Sequence, residues 1–527
     1  MSFGLSLTAA GDVLFRCPPD PVTTAQLRRI RPRGSWQPRE GGWVFPLEAA
    51  LRLQQQFAER FAVDPELQQW LDALQQPLPP LPPHRQLIAA ADLLEPLADG
   101  RQLLAHQRAG VRWLLARRGA VLADEMGLGK TLTTLAAARA LLRCSEARLL
   151  VVAPVGLHDH WRREAMALAL SPTLISWARL PQEPPPGAAV LVVDEAHFAQ
   201  NLQARRTRGL LRLARHPRIR AVWLLTGTPL KNGRPVQLLP LLMAIGHPLA
   251  RDRRAYETLF CNGHWRQVGR RQVWDCQGAS RLEELQRLVR PQLLHRRKRD
   301  CLELPPKLRR FHAVPLNAAV QQRFDLALQR QISRYRARAA AGLVRSDAER
   351  LALLTAMRQL GAQHKLPALT ALLQSLREDG EAVVVFSSFR APLLQLQRFA
   401  GGELLTGLVP LAERQRRLEC FQRGEADLLL ATYGVAGVGL GLQRAAHVIL
   451  LERPWTPGDA EQAEDRCHRF GTQRTVTCHW LQLGGADALV DGLILSKADR
   501  IEVVLGRRRR QLQRQSIARM LDELVGS

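Results

Sequence analysis

Lysine is nearly absent from this chain: six of its 75 basic residues are lysine, at 130, 231, 298, 307, 365 and 497, and the rest are arginine. That is the bias of an Arg-rich, GC-rich bacterial coding sequence, and it makes a lysine at a phosphate-binding position informative. Aromatic residues are sparse, at 5%. No apolar run approaches the roughly 20 residues a membrane-spanning helix needs, so no membrane association is expected. The opening MSFGLSLTAAGDVLFRCPPD has no basic stretch leading into a sustained apolar segment and a small-residue cleavage site. The expected location is the cytoplasm, in association with the nucleoid. Eight cysteines occur without a CxxC pair, which predicts free thiols and no disulfide framework. Cys261, His264 and Cys276 lack the paired spacing of a structural zinc site.

What the chain has in excess is positive charge. Its net charge is +27, and its pI near 11.2 points to a polyanionic partner, with nucleic acid foremost. At 527 residues it has room for three or four domains. QPLPPLPPHR (76–85) places five prolines between 77 and 83, an extended linker that sets an N-terminal module (1–85) apart. Beyond it, short apolar runs alternate with helical patterns, as parallel α/β sheets do. GAVLAD (119–124), LLVVAP (149–154), TLISW (173–177), AAVLVVDE (188–195) and AVWLLTG (221–227) form one block. AVVVFSS (382–388), ELLTG (403–407), DLLLATY (427–433), HVILLE (447–452) and TVTCHWLQ (475–482) form a second. Residues 235–345 between them read as mostly helical. The expected division is a first lobe with a helical protrusion at 86–310, a helical connector at 311–345 and a second lobe with a basic tail at 346–527.

Three segments carry chemistry. ADEMGLGKT (123–131) runs a strand through a Gly-containing loop into a helix. Gly127 and Gly129 let backbone amides approach phosphates, the helix N-terminus adds its dipole, Lys130 reaches the β- and γ-phosphates, and Thr131 suits Mg²⁺. The strict phosphate-loop pattern asks for Gly at 124, where this chain has Asp124. VVDEAH (192–197) puts adjacent carboxylates at the carboxyl end of an apolar strand, with Asp194 suited to the Mg²⁺ shell and Glu195 to polarising a water. A lone DE pair after a core strand is common; after a phosphate loop and beside LTGTP (225–229) it is not. QAEDRCHRFG (462–471) spaces Arg466 and Arg469 three apart, expected on one face of a helix, where they reach across a cleft to a γ-phosphate.

With these in order, the chain resembles superfamily-2 helicases, and over roughly residues 100–500 the SNF2 group of ATPases. LLAHQRAGVRWLL (103–115) resembles that family's adenine-binding segment, which places Gln107 at the base. DEMGLGKT (124–131) is the family's own form of the loop, which accounts for Asp124 and adds Glu125, Met126 and Leu128 to the nucleotide contacts. APVGLHDHW (153–161), LTGTPLKN (225–232), RRKRDCLELPPK (296–307), HKLPAL, VVVFSSF, TGLVPLAERQRRLECF and GVAGVGLGL follow in family order. His295, Gly441, Thr456 and Thr472 depart from the family pattern. LRRIRPRGSWQPREGGWVFPLEAALRLQQQF (27–57) resembles the HARP module of annealing helicases through Trp36, Trp43, Phe45 and Pro46. The resemblance implies two RecA-like P-loop lobes with parallel sheets, a helical insertion and a small N-terminal α+β module. It implies ATP and Mg²⁺ as ligands, and a DNA track gripped by phosphates with low sequence specificity. The expected activity is DNA-dependent ATP hydrolysis driving translocation on, or reannealing of, branched DNA. A general motor that displaces proteins such as RNA polymerase, and a nucleotide-gated scaffold with little turnover, are the alternatives.

Overall fold

The computed structural model describes residues 3–8, 12–30, 33–38, 40–45, 49–57, 59–65, 67–68, 71–72, 83–91, 96–187, 189–268, 271–340, 347–436, 441–483, 487 and 497–506. Pro46, most of the Pro-rich linker, part of GVAGVGLGL and the basic tail from 507 lie outside them.

The N-terminal module is a five-stranded sheet, β1 (Gly4–Leu7), β2 (Val13–Arg16), β3 (Ser35–Gln37), β4 (Gly42–Phe45) and β5 (Ala62–Val63), in the order β3-β4-β2-β1-β5. Its pairs are antiparallel except β1 with β5. Helix Pro21–Arg29 starts where the Asp20 carboxylate accepts the Val22 and Thr23 amides at 3.2 and 2.8 Å, with Pro21 at its first position. With helix Ala50–Phe57 it covers a core of Phe15, Leu27, Phe45, Leu53 and Phe57.

Each lobe is built on a six-stranded parallel sheet. The first comprises β6 (Gly119–Leu122), β7 (Arg148–Ala153), β8 (Thr173–Ser176), β9 (Ala189–Val193), β10 (Ile219–Leu225) and β13 (Leu293–Leu294), ordered β13-β6-β10-β9-β7-β8. Both faces are covered, which is why these strands read as unbroken apolar runs. Leu191 and Val193 of β9 face one core with Val152 and Leu224, while Val190 and Val192 face the other with Val151 and Trp223. The second sheet comprises β14 (Lys307–Ala313), β15 (Val383–Ser387), β16 (Glu403–Leu405), β17 (Leu428–Thr432), β18 (His447–Leu450) and β19 (Val476–Gln482), ordered β14-β19-β18-β15-β17-β16. It too separates two cores, with Val384 and Phe386 on one side and Val383 and Val385 on the other.

The stretch 235–345 is helical in large part but not throughout. It contains helices Leu239–Ala244, Arg253–Phe260, Leu282–Val289, Lys298–Cys301 and Ala318–Ala340, but also β13, β14 and an antiparallel hairpin of β11 (His264–Val268) and β12 (Arg271–Asp275). β14 escapes a periodicity reading because it is an exposed edge strand of charged residues, held by backbone pairing to β19 and by Arg309 over the Trp480 ring. The second sheet thus takes its first strand from 307–313, ahead of helices Ala318–Ala340 and Asp347–His364. Among the described residues no helix is long and apolar enough to cross a membrane.

Candidate active site

Where β6 ends, the chain turns through residues 123–129 and enters helix Lys130–Arg143, whose N-cap Gly129 has φ +72°. Glycine is required here because φ is left-handed, and a β-carbon would in addition push on the Gln107 amide nitrogen, 2.2 Å away. Gln107 is buried, its Oε1 accepting the Leu104 N–H at 2.9 Å and its Nε2 reaching Leu128 O at 3.5 Å. His106 Nε2 meets the same carbonyl at 2.9 Å. Lys130 folds back onto the loop, its ammonium donating to Asp124 O at 2.7 Å and Glu125 O at 3.2 Å. Burial pushes that ammonium down from its usual range against the pull of Asp124, Glu195 and Asp194. Thr131 follows, half-buried, on the helix's first turn.

At the carboxyl end of β9 the Asp194 side chain is held from two sides. Oδ2 accepts the indole N–H of the fully buried Trp161 at 2.9 Å, and Oδ1 accepts the Glu195 amide at 2.9 Å. Trp177 donates to the Asp194 carbonyl at 3.1 Å. Burial, with Glu195 alongside, pushes Asp194 up to about 6. Burial acts on Glu195 too, but His197 Nδ1 at 3.1 Å, together with Lys130 and Arg466, holds its carboxyl below the ordinary range. The adjacent carboxylates are thereby driven apart, one toward its neutral form and one kept charged. Glu195 itself has φ +49°, a left-handed conformation uncommon for a non-glycine residue.

Arg466 and Arg469 come from the second lobe. The structure corrects one expectation: helix Pro457–Glu464 ends before them, so they do not share a helix face. The chain tightens into turns, with Arg466 N bonding Ala463 O and Cys467 N bonding Glu464 O, both at 3.2 Å. Thr472 Oγ closes the turn, accepting the Arg469 N–H at 3.1 Å and donating to Cys467 O at 2.9 Å. Arg466 is 3% exposed, and its Nε has no hydrogen-bond partner among the described residues. Burial, then Arg469, pushes it down to about 9. Arg469 lies against the phosphate loop, its Cγ 3.6 Å from where a Gly127 β-carbon would stand. Arg466 thus leaves one buried donor unsatisfied among the described residues.

The hinge joining the lobes threads through this site; the family resemblance marks 296–307 as the joining segment, but the partners of its side chains were not legible in sequence. Arg296 Nε binds the Asp124 carboxylate at 3.0 and 3.2 Å, so the aspartate at the anomalous loop position is spent on the hinge. Two residues on, the Lys298 amide donates to Glu125 Oε2 at 2.9 Å. Its ammonium crosses to the second lobe, pairing with Asp465 at 2.8 Å and donating to His468 O at 2.8 Å. Burial alone would raise Asp465, yet Lys307 and Lys298 hold it well below the usual carboxylate range. Lys231 of the first lobe pairs with Asp459 at 2.8 Å, on the helix that Thr456 caps. A cavity of about 1050 Å³ lies between these parts, lined among others by Glu125, Met126, Thr228, Lys298, Asp465 and His468.

Two family models match the chain: the SNF2-related domain over residues 106–178 and 184–366, and the helicase conserved C-terminal domain over 364–471. The chain belongs to the SNF2 family of helicase-type proteins. It is 30% identical over 454 residues to the bovine DNA annealing helicase and endonuclease ZRANB3, covering 78% of this chain and 41% of that one. It is 27% identical over 476 residues to the putative ATP-dependent helicase/translocase YwqA of Bacillus subtilis, covering 78% of this chain and 50% of that one. The chain thus spans about half or less of these curated relatives. The SWI2/SNF2 ATPase core of Sulfolobus solfataricus in complex with dsDNA aligns with 76% of this chain and 92% of its own, at 20% identity and a TM-score of 0.35.

For this SNF2 chain, the loop 124–131, the pair Asp194–Glu195 and the arginines 466 and 469 converge at one place between the lobes. Gln107 stands behind the loop with its amide engaged. Trp161, His197, Arg296 and Lys298 are the site residues whose roles were missed. Trp161 and the 296–307 segment stand inside motifs read in sequence, but their partners lie tens to hundreds of residues away. Two departures from the family pattern have local work: Thr456 caps a helix and Thr472 closes the arginine turn.

Proposed function

We propose that this chain binds ATP with Mg²⁺ between its lobes, hydrolyses it when DNA is bound, and uses the cycle to move along or reanneal branched DNA. The observation that carries the reading is that Arg466, buried and with an unsatisfied Nε, stands in the second lobe near Glu195 of the first. Glu195 and Asp465 offset part of that charge, and an anion entering the cleft would supply the hydrogen-bond partner that Nε lacks. Lys130 and the amides of 127–131 would hold the phosphates, and Thr131 and Asp194 would hold Mg²⁺, which offsets phosphate charge. The elevated Asp194 carboxyl fits that role, since a cation favours its ionised form. Glu195, kept charged, orients a water, and Arg466 and Arg469 stabilise charge on the outermost phosphate. The net charge of +27 supports a DNA track held mainly through phosphates.

Reannealing of branched DNA is favoured by the likeness to a protein named as a DNA annealing helicase and by the HARP-like N-terminal module. Of the aromatics in that module, Phe45 belongs to the core, whereas Trp36 is 50% exposed on β3 and meets Trp43 edge-on at 6.2 Å. Trp36 is thus the one suited to meet DNA. ATPase rates with and without DNA test the motor: Lys130→Ala and Glu195→Gln should lose nearly all DNA-stimulated turnover. Native turnover no higher than that of these variants would refute it.

A further inference from the structure

The hairpin of β11 and β12 pairs with neither lobe sheet, and Trp265 stands directly opposite Trp274. Its inner side is built into the first lobe. Trp274 packs against the lobe's core and donates its indole N–H to the buried Glu257 carboxylate at 2.8 Å. Gly263 makes room for it, since a β-carbon there would lie 2.4 Å from the Trp274 ring and 2.8 Å from Glu257 O. Arg254, on helix Arg253–Phe260, lies over both indoles, 3.2 Å from the Trp274 centroid and 4.9 Å from that of Trp265. The two rings meet edge to face at 5.6 Å.

The outer side has no such structural work. Trp265 is 59% exposed and Val273 46%, and His264, Arg266 and Gln267 are exposed beside them. Folding gains little from an indole left in water, yet this one is braced by a second indole and a guanidinium. A rigid, accessible aromatic face among cations has the make-up of a base-stacking platform. The charge favours nucleic acid over protein: Arg254 makes no ion pair among the described residues, Arg266 meets Asp275 only at 3.5 Å, and the chain as a whole carries +27.

We propose that this hairpin is a second DNA contact, separate from the ATP cleft, in which Trp265 stacks on an unpaired base while Arg254 and Arg266 attract the flanking phosphates. The inference rests on the reading of the chain as a DNA motor and narrows its preferred track to DNA with unpaired bases, such as a fork. The test uses the full chain and two fluorescein-labelled probes at one fixed salt concentration, a fork with single-stranded arms and a blunt duplex of equal length. Trp265→Ala should weaken fork binding by about tenfold and leave blunt-duplex binding and duplex-stimulated ATPase unchanged. Trp265→Phe should keep most of the fork affinity, and Arg254→Gln should shift it in the direction of the alanine variant. Equal losses on both probes, or none on either, would overturn the platform and turn attention to a protein partner. Absence of DNA-stimulated ATPase in the native chain would instead strike the motor reading, while the binding comparison would still judge the hairpin.

Discussion

At the scale of single residues, the site gathers buried charges whose environments push them in different directions. Arg466 and Asp194 are both shifted toward neutrality by burial, whereas Glu195 is kept ionised by His197 at 3.1 Å. These shifts match a division of labour in which one carboxylate waits for a cation and the other acts as a charged group. Arg466→Ala should lower DNA-stimulated kcat by about 10³ while nucleotide affinity changes little. Steady-state kinetics would check this, and a large rise in KM with kcat preserved would instead assign Arg466 to ground-state binding. Asp124 shows how a residue's sequence position can mislead. It occupies the place of a phosphate-loop glycine, but its side chain serves Arg296. Removing either partner would leave a buried charge alone.

At the scale of elements, the segment 296–309 ties the two lobes together at the site. Its start grips the phosphate loop through Asp124 and Glu125, Lys298 reaches the arginine turn through Asp465 and His468 O, and Lys307 and Arg309 fasten onto Asp465 and Glu464. The loop and the turn that carries Arg466 and Arg469 are thereby tied to one segment. Lys298→Met should reduce kcat more than tenfold with little change in KM for ATP, and Lys298→Arg should recover part of it. A loss of thermal stability with kinetics intact would make Lys298 a purely structural tie. A second element-scale feature is the histidine row across β14, β19 and β18. His479 lies 2.9 Å from both His312 and His447 and is pushed down to about 3, by burial first and then by those neighbours. A histidine whose folded pKa is depressed contributes stability that is present above the unfolded value near 6.5 and is lost as pH falls toward the folded one. Thermal melts should therefore show the native chain losing stability between pH 6.5 and about 3 more steeply than His479→Gln.

At the scale of the whole molecule, the N-terminal module is built apart from the lobe sheets. The N-terminal module has its own sheet and core, so deleting residues 1–85 should leave basal DNA-stimulated ATPase while weakening the annealing of protein-coated single strands. Strand-annealing and ATPase assays on the same preparation would check both halves, and unchanged annealing would remove the HARP-like assignment.

The sequence by itself determined five of the six strands in each parallel sheet, because strands buried on both faces must be continuous apolar runs. It also determined the turn from β6 into helix Lys130–Arg143, because a tight turn before a helix leaves few choices besides Gly127 and Gly129. A nearly lysine-free composition marked Lys130. Tertiary structure alone decided what depends on distant partners. β14 is a charged edge strand with no periodicity to read, the arginines sit on turns after their helix has ended, and Arg296 and Lys298 acquire their meaning from carboxylates about 170 residues away in either direction. Local pattern encodes burial, and burial encodes elements. The pairing of charges across a cleft is set by how the elements stack, which no local window contains.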